Sequence, residues 1–213
     1  MLTRSKTAGP ARIARRNPER TRGRLLQAAF REIHASGFRG TDLDTILATA
    51  GMTKGAVYHH FRNKEALGYA VVDEVITGIT REKWLQPLQN SVNPIDGLIA
   101  IIRSTSLRPD HLRRGCPLNN LAQEMSPIDE GFRKRTAKVF RQWRGAIADA
   151  LKSGQKRDLV RADVDPDETA TFLIAVYEGY MSLAKTFRDV AGLQAGETMM
   201  IRYLESLRAP RSS

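Results

Sequence analysis

Apolar residues along the chain recur mostly three and four positions apart, the spacing that lines one face of an α-helix. From Pro18 onward Leu26, Ala29, Phe30 and Ile33 form such a face, and Gly37 is placed to end it. After the short connection Phe38-Arg39-Gly40, Thr41 reads as an N-cap with Asp44 three residues on, an acidic variant of the capping box. A helix of two turns then reaches Ala50, with Leu43, Ile46 and Leu47 inward, and Gly51 ends it in a tight turn. Thr53 caps a short helix through Phe61, and Asn63 caps a longer one. In the latter Leu67, Val71, Val75 and Ile79 fall four apart, and it runs to about Leu85. Pro87 and Pro94 bracket a loop, a helix follows from about Ile95 to Leu107, and Arg108 to Gly115 reads as a polar loop. Cys116 to Met125 is a short segment before a long helix from about Asp129 to Gly154, with Phe132, Val139, Phe140, Trp143, Ile147 and Leu151 on one side. Asp163 to Asp167 opens the next helix, on which Leu173, Val176, Tyr177, Tyr180, Met181 and Ala184 keep a regular rhythm, and a last helix spans about Gly196 to Leu207. No segment alternates as a strand does and none repeats. The expected fold is all-α with about nine helices.

Charge divides this helical chain in two. The 213 residues hold 34 Lys+Arg and 23 Asp+Glu, a net of +11. Residues 1–64 hold 13 basic and 4 acidic residues, whereas residues 65–213 are nearly balanced at 21 and 19. A basic first third points to a polyanion, either nucleic acid or an anionic membrane surface. A hydrophobic share of 41 % excludes wholesale disorder. No stretch reaches the ~18 uncharged apolar residues of a membrane span. The basic N-terminus is not followed by the apolar run of a secretory signal. One cysteine makes no internal disulfide and is too few for a thiolate zinc site, so the cytoplasm is the expected compartment.

The segment from Thr41 to Phe61 has the layout of a helix-turn-helix DNA reader: helix, glycine turn, short helix. Ile46, Leu47, Ala50, Val57 and Phe61 can supply its buried side. That leaves Thr53, Lys54, Gly55, Tyr58 and His59 outward, to enter a major groove. Gly55 and Ala56 are small enough for close approach to the duplex. Tyr58 offers a hydroxyl for phosphate and a ring for sugar or a thymine methyl. Lys54 is a cation near a helix start, where N–H groups also favour phosphate. Lys64 stands at the start of the next helix, within reach of a flanking phosphate. Adjacent His59 and His60 point about 100° apart on a helix and make a poor chelate, so no metal is expected.

At these residues the chain resembles the TetR family of bacterial transcriptional regulators. The likeness rests on Gly37-Phe38-Arg39-Gly40-Thr41, Ile46-Leu47-Ala48, Ala50-Gly51-Met52-Thr53-Lys54-Gly55-Ala56-Val57-Tyr58-His59-His60-Phe61 and Lys64-Glu65-Ala66-Leu67, within residues 20–70. Leu47 departs from the small residue common there, which bears on packing and not on reading. The resemblance implies three parts: a basic arm at 1–17, a three-helix DNA-binding domain at 18–64, and an effector-binding and dimerisation domain at 65–213. It implies a homodimer on a palindromic operator in double-stranded DNA, typically a repressor, released when a small-molecule effector changes the spacing of the two reading heads. It carries DNA contact to Thr41, Thr53, Lys54, Gly55, Tyr58, His59 and Lys64.

Four further expectations concern the arm, the seam, the sensor half and the lone thiol. The arm adds phosphate or minor-groove contacts, or is a tail with diffuse attraction only; it lacks the apolar face of a membrane-surface helix. Leu173, Val176, Tyr180, Met181 and Ala184, with Met200, Tyr203, Leu204 and Leu207, can build a four-helix seam between two chains or pack within one. Periodicity does not choose; the resemblance favours the seam. An apolar effector cavity with a few polar groups draws its candidate lining from Ile102, Cys116, Asn119, Asn120, Phe140, Trp143, Phe172 and Tyr177. Cys116 follows Arg113 and Arg114 at a helix start, a setting that favours thiolate and sensing of an electrophile or oxidant, against the plainer reading of a packed small residue. The stretch Gly115-Cys116-Pro117-Leu118-Asn119-Asn120-Leu121 also resembles a Gly-Cys-x-x-x-Asn-Leu run of one TetR branch. His111 and Cys116 read as base and nucleophile lack an orienting third group, and no phosphate loop, nucleotide glycine motif or ligand cluster occurs. No enzyme and no cofactor are expected.

Overall fold

The structure, a computed structural model, describes residues 18–105, 109–188 and 190–210, so the basic arm at 1–17 lies outside the described residues. The N-terminal unit packs α1 (Pro18–Ser36), α2 (Leu43–Ala50) and α3 (Lys54–Tyr58) around one small core. Leu25, Leu26, Ala28, Ala29 and Ile33 from α1 meet Ile46, Leu47 and Ala50 from α2, and Val57 and Phe61 close the core from below. Phe30 is only half-buried at its margin. The cap of α2 corrects the expectation. Asp42, not Thr41, holds the N-cap, its carboxylate accepting the Thr45 N–H at 2.7 Å, and that bond keeps its pKa below the usual range. Gly51 ends α2 with φ at 62°, a left-handed value that glycine adopts without cost. The Arg24 guanidinium reaches the Ala50 carbonyl at 2.9 Å and binds this end of α2 to α1.

Helix α4 covers residues 64–89, from Lys64–Ala70 to Gln86–Gln89, and opens into wide π turns at Val71–Ile76 and Arg81–Leu85. Asn63 caps it as expected, accepting the Ala66 N–H at 2.8 Å. Its buried positions include Leu67, Val71, Val75, Thr80, Trp84 and Leu88. A four-residue repeat drifts around a helix of 3.6 residues per turn, and the wide turns bring it back to the same side. The helix therefore passes the expected end near Leu85, and Pro87 sits exposed just after the second wide turn. The expected domain boundary at 64/65 falls at the start of this rod, which packs on both α1 and the body.

The body continues with α5 (Pro94–Thr105), α6 (Pro109–Arg114), α7 (Pro117–Met125), α8 (Glu130–Gln155), α9 (Pro166–Phe187) and α10 (Val190–Ser206). The stretch expected as a polar loop is thus helical over Pro109–Arg114, with proline in the first position where its missing N–H costs nothing. Helix α10 begins before Gly196, which marks a close approach and not a start: a Cβ there would collide with the Tyr180 ring of α9. Helix α8 is the central post. Its Phe132, Val139, Trp143, Ile147 and Leu151 are buried, as the spacing predicts. The Trp143 ring lies 4.5 Å from that of Trp84, which in turn meets Tyr177 edge-on at 5.0 Å. Among the described residues the only extended pairing is one antiparallel bridge between Val160 and Arg208, which ties the C-terminal end to the turn after α8.

Most of the proposed dimer seam packs within one chain. Leu173, Met181, Ala184, Met200, Leu204 and Leu207 are buried in the core, and Val176, Tyr180 and Tyr203 are half-buried against it. The periodic stripe marks the side of α9 and α10 that faces α8 and α5. Among the described residues the large apolar side chains that remain exposed on these helices are Phe172, Leu183, Phe187, Val190 and Met199.

Candidate nucleic-acid interface and body clefts

The outer end of the α2–turn–α3 unit gathers most of the residues expected there. Thr53 occupies the N-cap of α3 in extended backbone and makes no side-chain capping bond. Gly55 is exposed, and a Cβ on it would meet nothing within 4 Å. Tyr58 is 57 % exposed, and His59 beside it is exposed while His60 is half-buried. Lys54 places its Nζ 2.9 Å from an Asp44 carboxylate oxygen, which raises its pKa. Both partners are well exposed, so the pair is weak and a phosphate can take the lysine over. Lys64 is half-buried, with its Nζ 4.6 Å from the centre of the Phe38 ring. Thr41 does not join this surface. It is 3 % exposed and its Oγ1 donates to the Gly37 carbonyl at 2.7 Å, which leaves it no face toward a ligand. Exposed Arg39 and Arg62 flank the unit, and both were readable from the sequence as cations beside the motif. Among the described residues no group of three or more His, Cys, Asp and Glu could hold a metal ion.

A carboxylate that sequence reasoning missed joins this unit to the body. Glu124, on α7, accepts the Phe38 and Arg39 backbone N–H groups at 2.8 Å each, just beyond the end of α1. His34 Nε2 stands 3.0 Å from the Gly115 carbonyl oxygen on the other side of the same junction. Behind it Phe38 packs edge-on against Phe132 at 4.6 Å, and Phe132 against Tyr69 at 4.9 Å. The Tyr69 hydroxyl donates to the Asp129 carboxylate, which also caps α8 by accepting the Phe132 N–H at 2.9 Å. Burial first, and that hydrogen bond second, push the Tyr69 pKa up. Arg22 on α1 and Glu74 on α4 form a further ion pair, which lowers the Glu74 pKa.

Two clefts flank α7. One of about 770 Å³ lies between α7, α8 and α9, with Asn119, Thr136, Phe140, Ile174, Glu178 and Ser182 among its walls. The other, about 650 Å³, lies between α7, the end of α1 and α9, and is walled by His34, Asn119, Asn120, Glu124 and Lys185 among others. A void of about 40 Å³ sits among Trp84, Cys116, Trp143 and Tyr177. Of the expected lining, Asn119 faces both clefts, Asn120 the second and Phe140 the first, while Cys116, Trp143 and Tyr177 surround the small void. Ile102 is a core residue that lines none of the three. Phe172 is exposed and packs edge-on with Tyr203, away from all of them.

The thiol environment runs against the thiolate expectation and with that of a packed small residue. Burial first, and the neighbouring Glu178 carboxylate second, push the Cys116 thiol well above its ordinary value. Backbone N–H groups of Asn119 and Leu118 at the start of α7 pull the other way and are overcome, and Arg113 and Arg114 are exposed. The side chain of His111 lies outside the described residues. Glu178, 7 % exposed, was not anticipated, and burial raises its carboxyl to about 7. Neither of its oxygens has a hydrogen-bond partner, and neither has the Trp143 indole nitrogen. The signal was present in the sequence, since Ile174, Tyr177, Glu178 and Met181 share an inward stripe at i, i+3, i+4 and i+7.

The geometry has counterparts elsewhere. The profile described as bacterial regulatory proteins, tetR family, matches residues 25–71, and that described as tetracyclin repressor-like, C-terminal domain, matches residues 94–200. The transcriptional regulator AcuR of Cereibacter sphaeroides is 30 % identical over 163 residues, covering 76 % of this chain and 74 % of its own. The HTH-type transcriptional repressor DhaR of a Mycobacterium species is 29 % identical, covering 79 % of this chain and 84 % of its own. Among solved structures, a TetR transcriptional regulator from Chloroflexus aurantiacus superposes with a TM-score of 0.81 at 31 % identity, covering 91 % of this chain and 98 % of its own. The reduced form of NemR from Escherichia coli gives a TM-score of 0.79 at 26 % identity, covering 91 % of this chain and all (100 %) of its own.

Proposed function

The chain belongs to the TetR family and is a DNA-binding transcriptional regulator; from that premise we propose that it is a cytoplasmic repressor, released from DNA by a small molecule. In this reading two copies hold a near-palindromic operator, each laying α3 into one major groove, with the two grooves about 34–36 Å apart. The observation that carries it is the exposed end formed by Thr53, Lys54, Gly55, Tyr58 and His59 on a small rigid core. The exposed apolar side chains Phe172, Leu183, Phe187, Val190 and Met199 support pairing of two chains through α9 and α10. Helix α7 supports a route for release. It walls both clefts and its Glu124 grips the backbone just after α1, so a ligand that displaces α7 also displaces the reading head. The test is a mobility-shift assay with DNA from the promoter region of this gene, with anionic liposomes as the competing polyanion. Retention of the DNA, and weaker retention for Tyr58→Ala, is the expected result; binding to liposomes alone contradicts it.

A thiol response through Cys116 is the second reading, supported by the likeness to a regulator whose structure is described as a reduced form. The raised thiol pKa weighs against it in this conformation. A Cys116→Ser protein that still leaves DNA on exposure to the natural effector would end it.

A further inference from the structure

We propose that the cleft between α7, α8 and α9 receives a small organic amine, whose protonated nitrogen is anchored by the buried Glu178 carboxylate. The inference rests on the reading of the protein as a ligand-released regulator, and it names the chemistry of the ligand. Buried carboxylates are nearly always paired, because an unpaired one forfeits its hydration for nothing. Glu178 is more than nine-tenths buried, and neither oxygen has a hydrogen-bond partner. The polar group set against it is the Cys116 thiol, a weak donor that carries no charge. Among the described residues the only guanidinium in the cleft wall, that of Arg133, is engaged: its Nε pairs with a Glu130 carboxylate at 2.5 Å, and the side chain is about half exposed. The site therefore lacks a cation where one is wanted.

The remaining walls fit an amine on an apolar body. Phe140 and Ile174 give an aromatic and an aliphatic surface, and an aromatic face also favours a cation near it. An ammonium on a carboxylate forms charge-assisted hydrogen bonds, stronger than a neutral hydroxyl could make, and an anion would be repelled. Solvent reaches neither Glu178 oxygen, so an occupant must part the cleft floor to meet the carboxylate. Asn119 and Gln123 form the α7 side of that cleft, and Glu124 follows them directly in the sequence. Entry of the amine is thereby linked to the grip on Phe38 and Arg39.

The test is isothermal titration of the full chain with benzylamine, benzyl alcohol and phenylacetate at neutral pH. Benzylamine is expected to bind saturably and phenylacetate not at all. Glu178→Gln is expected to weaken benzylamine at least tenfold while leaving benzyl alcohol unchanged. Ala175→Trp, which fills the cleft from an exposed wall position and keeps Glu178, is expected to abolish benzylamine binding and guards against a Gln variant that fails to fold. Benzylamine affinity unchanged in both variants, benzyl alcohol binding the native chain as tightly as benzylamine, or no saturable binding by any probe would each overturn the proposal. A shift assay on the same protein samples separates the two levels. DNA retention with indifference to the amine sinks the ligand assignment alone, whereas loss of DNA retention by the native chain sinks the regulator reading beneath it.

Discussion

Two carboxylates, the buried Glu178 and the half-buried Glu124, mark the cleft and the junction beside α7. Glu178 titrates near 7 in the fold and near 4.5 when exposed, so the folded state holds its proton more tightly than the unfolded one. Below about pH 4.5 the residue is protonated in both states and costs nothing. Stability then falls as pH rises from about 4.5 to about 7, and the loss is complete above that, amounting to roughly 3 kcal/mol. Glu178→Gln should remove this part of the slope, so that its melting temperature exceeds that of the native chain at pH 8 and matches it near pH 4. Equal slopes in the two proteins would contradict the placement of Glu178. At the junction, Glu124→Ala leaves the Phe38 and Arg39 N–H groups without their acceptor and should cost about 1–3 kcal/mol in denaturant unfolding. Glu178 could be read from the sequence as a charged residue on an inward helical stripe. Glu124 could not, because its partners are backbone groups 85 and 86 residues away, which no side-chain pattern records.

Helices were legible wherever one apolar face repeats, and less so where packing overrode local signals. The cores of α1, α2 and α8 follow their periodicity, and Asn63 and Gly51 act at the ends expected of them. Thr41 misled because threonine and aspartate are both good caps; the fold uses the adjacent Asp42 and turns the threonine inward to Gly37. Gly196 misled because its smallness serves contact with Tyr180, not a helix start. In α3 the sequence reading of buried and exposed sides agrees with the structure for Val57, Gly55 and Tyr58. Tyr58→Ala should weaken operator binding by about 1–3 kcal/mol, roughly five- to a hundredfold, with little change in melting temperature. Lys54→Ala should weaken specific and non-specific DNA alike and lower the slope of log affinity against log salt by about 1. A Lys54 effect confined to one sequence would contradict its role as a phosphate contact.

The net charge of +11 is concentrated in the first 64 residues, and among the described residues of that part Arg39, Lys54 and Arg62 stand exposed on or beside α3. The body supplies two things the N-terminal unit lacks: clefts beside α7, and an apolar surface on α9 and α10. The dimer seam was the least legible part, since periodicity reports which side of a helix is apolar but not whether its cover comes from the same chain. Here the regular stripe is covered internally, and the off-stripe side chains Leu183 and Phe187, the latter 68 % exposed, are left over. Leu183→Glu combined with Phe187→Glu should give a monomer by light scattering with an unchanged helical circular-dichroism spectrum. The same variant should lose cooperative operator binding. Deleting residues 1–17 should lower the salt slope of DNA binding if the basic arm touches phosphate, and an unchanged slope removes it from the interface. The claim on which all of this depends is that the chain reads DNA as a pair of α3 helices. Footprinting on the promoter region of its own gene tests it most directly. The account predicts protection of one near-palindrome, with two major-groove half-sites about one helical turn apart, moved to roughly five- to a hundredfold higher protein concentration by Tyr58→Ala. Protection absent at every concentration, or confined to a single half-site by a dimeric protein, would contradict it.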